Sequence, residues 1–454
     1  MKRFRQGFIF VLLAGVLGLL LLFKNRNSLS DPQFTLRERL PVSDILVRAQ
    51  ILELSKQIGP MLFKYKLPIR EFASADFLLS QGKQFGINIQ SEAYLFLNRD
   101  LKEWGFLISL NDSSKMVQLV DRFRKNTPIA DSSRNKIRIL FFSEPNVYLC
   151  YQKSYALLYF GNQLNQRLDK ISGKGKPRIE KEWQHFFHLN SQKSNTILAY
   201  SEADFLKSWG FDYALVTPKT DSITVHFNGL FHTPIPHGIH FLTQAKGLPN
   251  KPSDTKAIEL HVDSTFKHQA IAKNLTAELN TFGKKIGFPT GSFLKAWDGN
   301  LSFREGGRVN SVEKIIVTEF DENFNPKETV RLQPISVPGY AVVFGSNAYG
   351  KAFLNALFEK GILRNESNKL RFLYAPLLSM KQDKNQFFFS SVAQFPKLTN
   401  ASGNYVHWTQ NNAPFSLDLM GCGADYFVVN MDCPATYLIY EWQKKMKSRK
   451  KGSS

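Results

Sequence analysis

Several groups of residues in this chain have types and spacings that could do chemistry, and each implies a different reaction. Ser264-Thr265-Phe266-Lys267 follows a strand-like run at Ile258–Val262 and sits where a helix could start. That spacing would put a lysine amine one helical turn from a serine hydroxyl, the pairing that activates an acyl-enzyme nucleophile. Its usual companions are missing. The chain has no Lys-Thr-Gly, and too little sequence follows Ser402-Gly403-Asn404. The same spacing recurs at Ser80, Ser133, Ser311 and Ser448, so the motif reads as a helix cap. Glu182, His185 and His188 fall close to one side of a helix, as convergent metal ligands do. No second Glu-x-x-His completes a dimetal set, and Trp183, Phe186 and Phe187 between them suggest aromatic packing instead. No metal and no other cofactor is expected. His226, His232, His237, His240 and His261 are spread through a hairpin-rich stretch.

Two further groups concern linkage and surfaces rather than catalysis. Cys422 and Cys433 flank the alternating segment Ala424–Asn430 and, in an oxidising compartment, are candidates for a small disulfide loop. Cys150 lies in the strand-like Tyr148-Leu149-Cys150-Tyr151 and reads as a lone buried thiol. At the C-terminus, Leu438, Ile439, Trp442 and Met446 fit one helical face. Lys444, Lys445, Lys447, Arg449, Lys450 and Lys451 crowd the opposite side and the tail. Each such cation beside an anionic membrane adds about 1 kcal/mol, so Trp442 and this basic set are candidate contacts to an anionic surface. Gly-x-Ser-x-Gly, His-Glu-x-x-His, a phosphate-binding Gly-x4-Gly-Lys and Gly-x-Gly-x-x-Gly are all absent. Gly173–Arg178 is basic and glycine-rich, but no helix follows to present amides to a phosphate.

The elements that would position these groups begin with an address. Lys2, Arg3 and Arg5 precede an apolar run from Gly7 to Phe23, closed by Lys24 and Arg26. As a helix the run spans roughly 25 Å, the short end for a bilayer crossing. No small-x-small cleavage site and no nearby cysteine follow, so the segment is expected to be an uncleaved signal anchor. The basic flanks favour a cytoplasmic N-terminus and an extracytoplasmic, periplasmic body. Residues 31–40 would be a stalk. Residues 41–170 read as a first α+β unit, 190–400 as a second with inserted hairpins, and 401–454 as C-terminal strands with a basic helix. The strand runs Ala93–Leu97 and Gly105–Leu110, then a helix start at Asn111–Ser114 before Met116, Leu119, Val120 and Phe123, lack a βαβ rhythm. The expected fold class is therefore α+β: an N-terminal transmembrane helix followed by two related antiparallel-sheet-plus-helix units.

The case for two related units rests on order. Asn300–Phe303 matches Ala93–Phe96, and Gly339–Ser346 matches Gly105–Asn111. Helix Tyr349–Lys360 matches Lys115–Arg124, and Thr196–Tyr200 resembles the opening strand at Ile45–Val47. Gly86-Ile87-Asn88-Ile89 leads into the first of these strands. With the anchor, this repeated pattern resembles duplicated bacterial envelope families classed as domains of unknown function. The resemblance implies a membrane-anchored extracytoplasmic protein and brings no catalytic residue with it.

Composition limits the function classes. The 454 residues carry a formal charge of +21 and 39 Phe against 6 Trp. Such a field favours anionic lipid or an acidic envelope polymer, and outside the cytoplasm it does not point to nucleic acid. The preferred expectation is a non-enzymatic, membrane-tethered binding or scaffold protein of the envelope with a protein partner. The alternatives are an envelope hydrolase with a site assembled from distant residues, and anionic lipid or polymer binding by the basic surface.

Overall fold

The computed structural model describes residues 36–441 except 66–73, 125–127, 144–145, 173–178, 190–195, 202–203, 235–237, 243–244, 250, 264–269, 367–368, 373–376, 384, 392–394 and 402. The chain forms two compact units, Met1–His232 with Cys433–Ser454, and Thr233–Asp432.

The first unit starts from β1 (Ile45–Gln50), whose Ile-Leu-Val opening is apolar on both sides of the strand. Helices α1 (Ile51–Lys64) and α2 (Ala75–Phe85) follow it, then β2 (Glu92–Asn98), β3 (Glu103–Ser109) and α3 (Ser114–Arg124). A meander of β4 (Ile129–Arg134), β5 (Ile137–Phe142), β6 (Val147–Tyr151) and β7 (Tyr155–Phe160) comes next. Helices α4 (Leu164–Ser172) and α5 (Lys181–Leu189) lead to β8 (Thr196–Ser201), α6 (Asp204–Ser208), β9 (Tyr213–Thr220) and β10 (Thr224–His232). All pairings are antiparallel, in the order β10-β9-β8-β1-β2-β3-β7-β6-β5-β4.

Both faces of this sheet are apolar. Ile45, Val47, Leu95 and Ile108 meet Phe85 of α2 and Met116, Leu119 and Val120 of α3, with Ile51 and Leu52 of α1 packed against them. Leu46, Tyr94, Phe96 and Leu107 meet Leu168, Ile171, Trp183, Phe186 and Phe187 of α4 and α5. Local chemistry fixes the helix ends. Ser74 Oγ accepts the Phe77 amide at 3.2 Å to start α2. Gly86 ends it in the left-handed region at φ +67, where a β-carbon would lie 1.9 Å from Asp112 O. Gly105 is needed for a different reason: opposite it, the Phe96 ring lies where a side chain would stand.

The second unit repeats the strand order of the first, with helices after the opening strand and after the third strand of its main sheet. Strand β11 (Lys246–Gly247) precedes β12 (Asp254–His261), α7 (Ala270–Lys285), α8 (Thr290–Ala296), β13 (Trp297–Phe320), β14 (Pro326–Ser346) and α9 (Gly350–Glu359). Four strands follow: β15 (Leu363–Glu366), β16 (Lys369–Phe372), β17 (Leu377–Asp383) and β18 (Gln386–Ser390). The unit ends with β19 (Thr399–Asn400), β20 (Asn404–Gln410), β21 (Ala413–Cys422) and β22 (Tyr426–Pro434). The antiparallel order β22-β21-β20-β12-β13-β14-β18-β17-β16-β15 is that of the first unit, strand for strand. Strands β11 and β19 form a separate small ladder. One face packs Trp297, Phe344, Phe353, Leu357 and Phe387 into an apolar core.

The fold differs from the expected α+β class with a transmembrane helix. Strand outweighs helix by 49% to 27%, so the architecture is chiefly antiparallel sheet with helices laid on its faces. Among the described residues no helix is long and apolar enough to cross a membrane. The run Gly7–Phe23 lies outside them. Helix α7 is the longest of those described, and it carries Lys273, Lys284 and Lys285. Thr196–Tyr200, expected to open the second unit, is instead β8, paired with β1 inside the first. The hairpin Tyr213–Phe231 likewise belongs to the first unit.

Gly105→Ala should lower stability by about 1–3 kcal/mol, because the Phe96 ring must leave its rotamer to admit the methyl. Urea unfolding followed by far-ultraviolet dichroism measures it. An unchanged midpoint would remove the cross-strand packing argument.

Candidate functional site

In the second unit, the sheet face opposite the apolar core carries charge where the first unit carries leucine and aromatics. Alternation along β12 and β13 brings Glu259, His261, Ser302 and Arg304 to that face, and β20 adds Tyr405. Glu259, His261 and Ser302 are at most 2% exposed, and Arg304 is 5% exposed. Glu259 Oε2 accepts from Ser302 Oγ at 2.6 Å and from His261 Nε2 at 2.7 Å. Its Oε1 accepts from Arg304 Nη2 at 2.5 Å. Arg304 also donates to Leu248 O at 2.6 Å, Phe303 O at 2.8 Å and Tyr405 Oη at 3.0 Å. His261 Nδ1 faces Asn300 Oδ1 at 3.1 Å. A β-carbon on Gly247 would strike the Glu259 carboxylate, so β11 lies tight over the network. Burying a carboxylate is tolerable only with partners of this number and charge. Within the arrangement Glu259 and His261 are closed off from solvent.

Beside this network a pocket of about 150 Å³ is lined by Asp254, Arg304, Arg308, Gly306, Tyr340 and Ser391, among others. Asp254 Oδ2 is 3.8 Å from Arg304 Nε, which has no hydrogen-bond partner among the described residues. The ladder between β13 and β14 shifts register between Gly306 and Val309. Gly307 takes the left-handed φ +65, as a bulge of this kind requires. A β-carbon on Gly306 would lie 2.3 Å from Ser253 O, so the backbone passes too close there for a side chain.

From this bulge an arm extends. Strand β12 pairs with β13 only as far as Gly306, and β18 pairs with β14 only from Ala341 onward. Beyond those points, Val309–Phe320 and Pro326–Val337 pair with each other alone among the described residues. At about 3.3 Å per residue the ribbon reaches roughly 40 Å. Its even-numbered residues share one face: Val312 opposite Pro334, Ile316 opposite Val330, Phe320 opposite Pro326, with Leu332 between. Ile316, Phe320, Val330 and Leu332 are 64–68% exposed. The other face carries the Arg331–Glu319 ion pair beside partly covered Ile315, Val317 and Ile335.

The tip is built, not frayed. Asp321 Oδ1 accepts the amides of Asn323 and Asn325, each at 2.8 Å, and Asn325 Nδ2 reaches Oδ2 at 3.2 Å. These hydrogen bonds hold the Asp321 carboxyl below its ordinary pKa. Phe324 sits at φ +61, a region that costs a bulky residue energy, and its ring is 83% exposed. A strained backbone that holds an aromatic ring in water is a mark of a contact surface. Glu319, Asp321, Glu322 and Glu328 against Lys327 make this end acidic in a chain of net charge +21.

The residues singled out from the sequence do not converge here. Ser264–Lys267 and Trp442, Lys444, Lys445, Lys447, Arg449, Lys450 and Lys451 lie outside the described residues. Trp183, Phe186 and Phe187 of α5 are buried, as the packing reading requires, while His188 is exposed. No metal-binding cluster occurs among the described residues. Cys433 is a free, buried thiol, and burial pushes its pKa up to about 11. Cys422 stands opposite Tyr426 at the far end of β22, about 23 Å from Cys433 along the strand, whereas a disulfide needs roughly 7 Å or less. The expected bridge is not formed. Cys150 is a free, buried thiol as well. Sequence reasoning missed the arm. Its signal was the β-branched run Ile315–Thr318 and the Thr329-Val330 pair on the other side of the turn-forming Asp321–Asn325.

No family model and no curated protein matches the chain. Among solved structures, crystal form I of TP0453 is similar at a TM-score of 0.30, with 10% identity over 45% of this chain and 79% of that one. Crystal form IV gives the same score and identity over 44% and 80%.

Two outcomes follow. Arg304→Ala should cost about 3–5 kcal/mol by stranding Glu259, and Glu259→Leu combined with Arg304→Met should recover part of it. Urea midpoints of the single and double variants check this. For the tip, ionised Asp321 contributes order that is complete above its ordinary value of 3.8 and lost as pH falls through its lower native value. The amide resonances of Asn323 and Asn325 should therefore hold position down to pH 3.8 and shift only below it. A shift centred at 3.8 would contradict the geometry.

Proposed function

We propose that this protein is a non-enzymatic binding or scaffold protein and that the β13–β14 arm is the surface with which it holds a partner protein. The observation that carries the reading is the row of exposed apolar side chains Val312, Ile316, Phe320, Val330 and Leu332, ending at Phe324. A monomer that leaves such a row in water loses about 25 cal/mol per Å² of apolar area, which a partner's surface would recover. The absence of access to Glu259 and His261 supports a binding role over a hydrolase. The acidic tip favours a partner with a basic rim over an anionic bilayer or polymer.

Two parts of the proposal rest on other observations. The shared order of strands supports descent of both units from one ancestral unit. The extracytoplasmic address rests on the sequence flanking Gly7–Phe23 and is tested by protease access to intact cells and spheroplasts.

The arm reading has a direct test. A Phe320→Ser, Phe324→Ser double variant should capture its cross-linked partner at least tenfold less than the parent from native extracts, with an unchanged thermal midpoint. Equal capture by both chains would reject the arm as the contact surface.

A further inference from the structure

Proline placement separates the two edges of the arm. A proline nitrogen carries no hydrogen and is tolerated in a strand only where it faces away from the ladder. Pro326, Pro334 and Pro338 all hold even positions in β14, so the even residues of that strand turn their amides outward. Register pairs even with even across the ribbon, as Val312 with Pro334 and Ile316 with Val330. The outward groups of β13 therefore belong to Asn310, Val312, Lys314, Ile316, Thr318 and Phe320, none of them proline. One edge is blunted and the other is a complete, unpaired row of donors and acceptors among the described residues. Within the arm, prolines blunt the edge of β14, and none blunts the outer edge of β13.

The occupant follows from charge and area. Arg308 stands at the root of the open edge, exposed and without an ion pair among the described residues. Glu319, Asp321 and Glu322 stand at its tip. A face-to-face pair of arms, each about 40 Å by 10 Å, would bury roughly 800 Å², short of the 1,200 Å² at which stable interfaces begin. Pairing through the edge adds main-chain hydrogen bonds to that area and needs only a single extended strand.

We infer that the outer edge of β13 receives an extended, proline-free segment of the partner protein as an added β-strand. This rests on the arm reading above and names its partner class. The segment places alternate apolar side chains beside Val312, Ile316 and Phe320. It carries basic residues toward the tip and an acidic residue toward Arg308.

The test uses the full-length chain and synthetic strands. The probes are fluorescein-labelled ten-residue peptides of alternating Val and Thr, with Arg-Arg at one end and Glu-Glu at the other, in both polarities. Fluorescence anisotropy should show saturable binding of one polarity. N-methylation of every second amide should weaken it at least tenfold in one parity and leave it intact in the other. Thr318→Pro, which removes one outward N–H and leaves the arm's apolar residues in place, should weaken binding similarly, with thermal unfolding as the check on folding. The methylated peptides decide the matter should that variant unfold. Equal binding of both methylated parities, or no saturable binding of either polarity, overturns strand addition. If Phe320→Ser, Phe324→Ser still abolishes partner capture while Thr318→Pro does not, the arm remains the contact surface and edge addition alone fails. A dimer in sedimentation that Thr318→Pro dissolves would also overturn it, by assigning the edge to a second copy.

Discussion

An antiparallel sheet has two faces, and the whole structure depends on how each is kept from water. In the first unit α1–α3 cover one face and α4 and α5 the other, so the central strands are apolar on both sides. The second unit has the same strand order but lacks counterparts of α4 and α5 among its described elements; between β18 and β20 the described element is the short β19. Its second face is correspondingly not apolar. It holds Glu259, Arg304, His261 and Ser302 in a closed set of charge-assisted bonds, capped by backbone at Gly247 and Leu248. A helix on a leucine face stabilises by area, whereas this network stabilises by geometry. Area tolerates substitution, and a buried charge set does not.

That difference bears on the arm. Arg304 and Asp254 belong both to the network and to the walls of the pocket at the arm's root. The ribbon therefore leaves the sheet beside this network. At the other end the Asx turn at Asp321 closes the ribbon in one conformation. Between two fixed ends, the twist of a paired ribbon sets the direction of the apolar row. A surface held in one shape binds without first paying an ordering cost.

Local elements of the first unit are visible in its sequence. Ala93–Leu97 and Gly105–Leu110 fall on β2 and β3, and the Asn111–Ser114 signal starts α3, because apolar period and capping chemistry act within a few residues. Strand β4, Ile129–Arg134, hides because its middle is Asp-Ser-Ser, exposed at the sheet's edge. The arm hides for a different reason. Gly306-Gly307 and the prolines of β14 read as breaks, yet one is a bulge and the others mark an edge; both meanings depend on a strand partner that sequence spacing does not reveal. Thr196–Ser201 resembles an opening strand in composition, and only its pairing with β1 shows that it belongs to the first unit. Glu259 and Arg304 were each legible as lone charges inside apolar runs. Their meeting across β12 and β13 is a matter of register, which no local pattern carries.

The glycine bulge has a mechanical consequence. Gly306 and Gly339 face each other where the ribbon leaves the sheet, so this pair adds no side chain of its own to the junction. The arm is then a lever that pivots at a glycine pair. For a lever of about 40 Å, a rotation of only about 10° at the fulcrum carries Phe324 by roughly 7 Å. Small differences in bulge geometry thus become large differences in where the tip aromatic arrives, and reach, rather than affinity, is the property most sensitive to substitutions at the root.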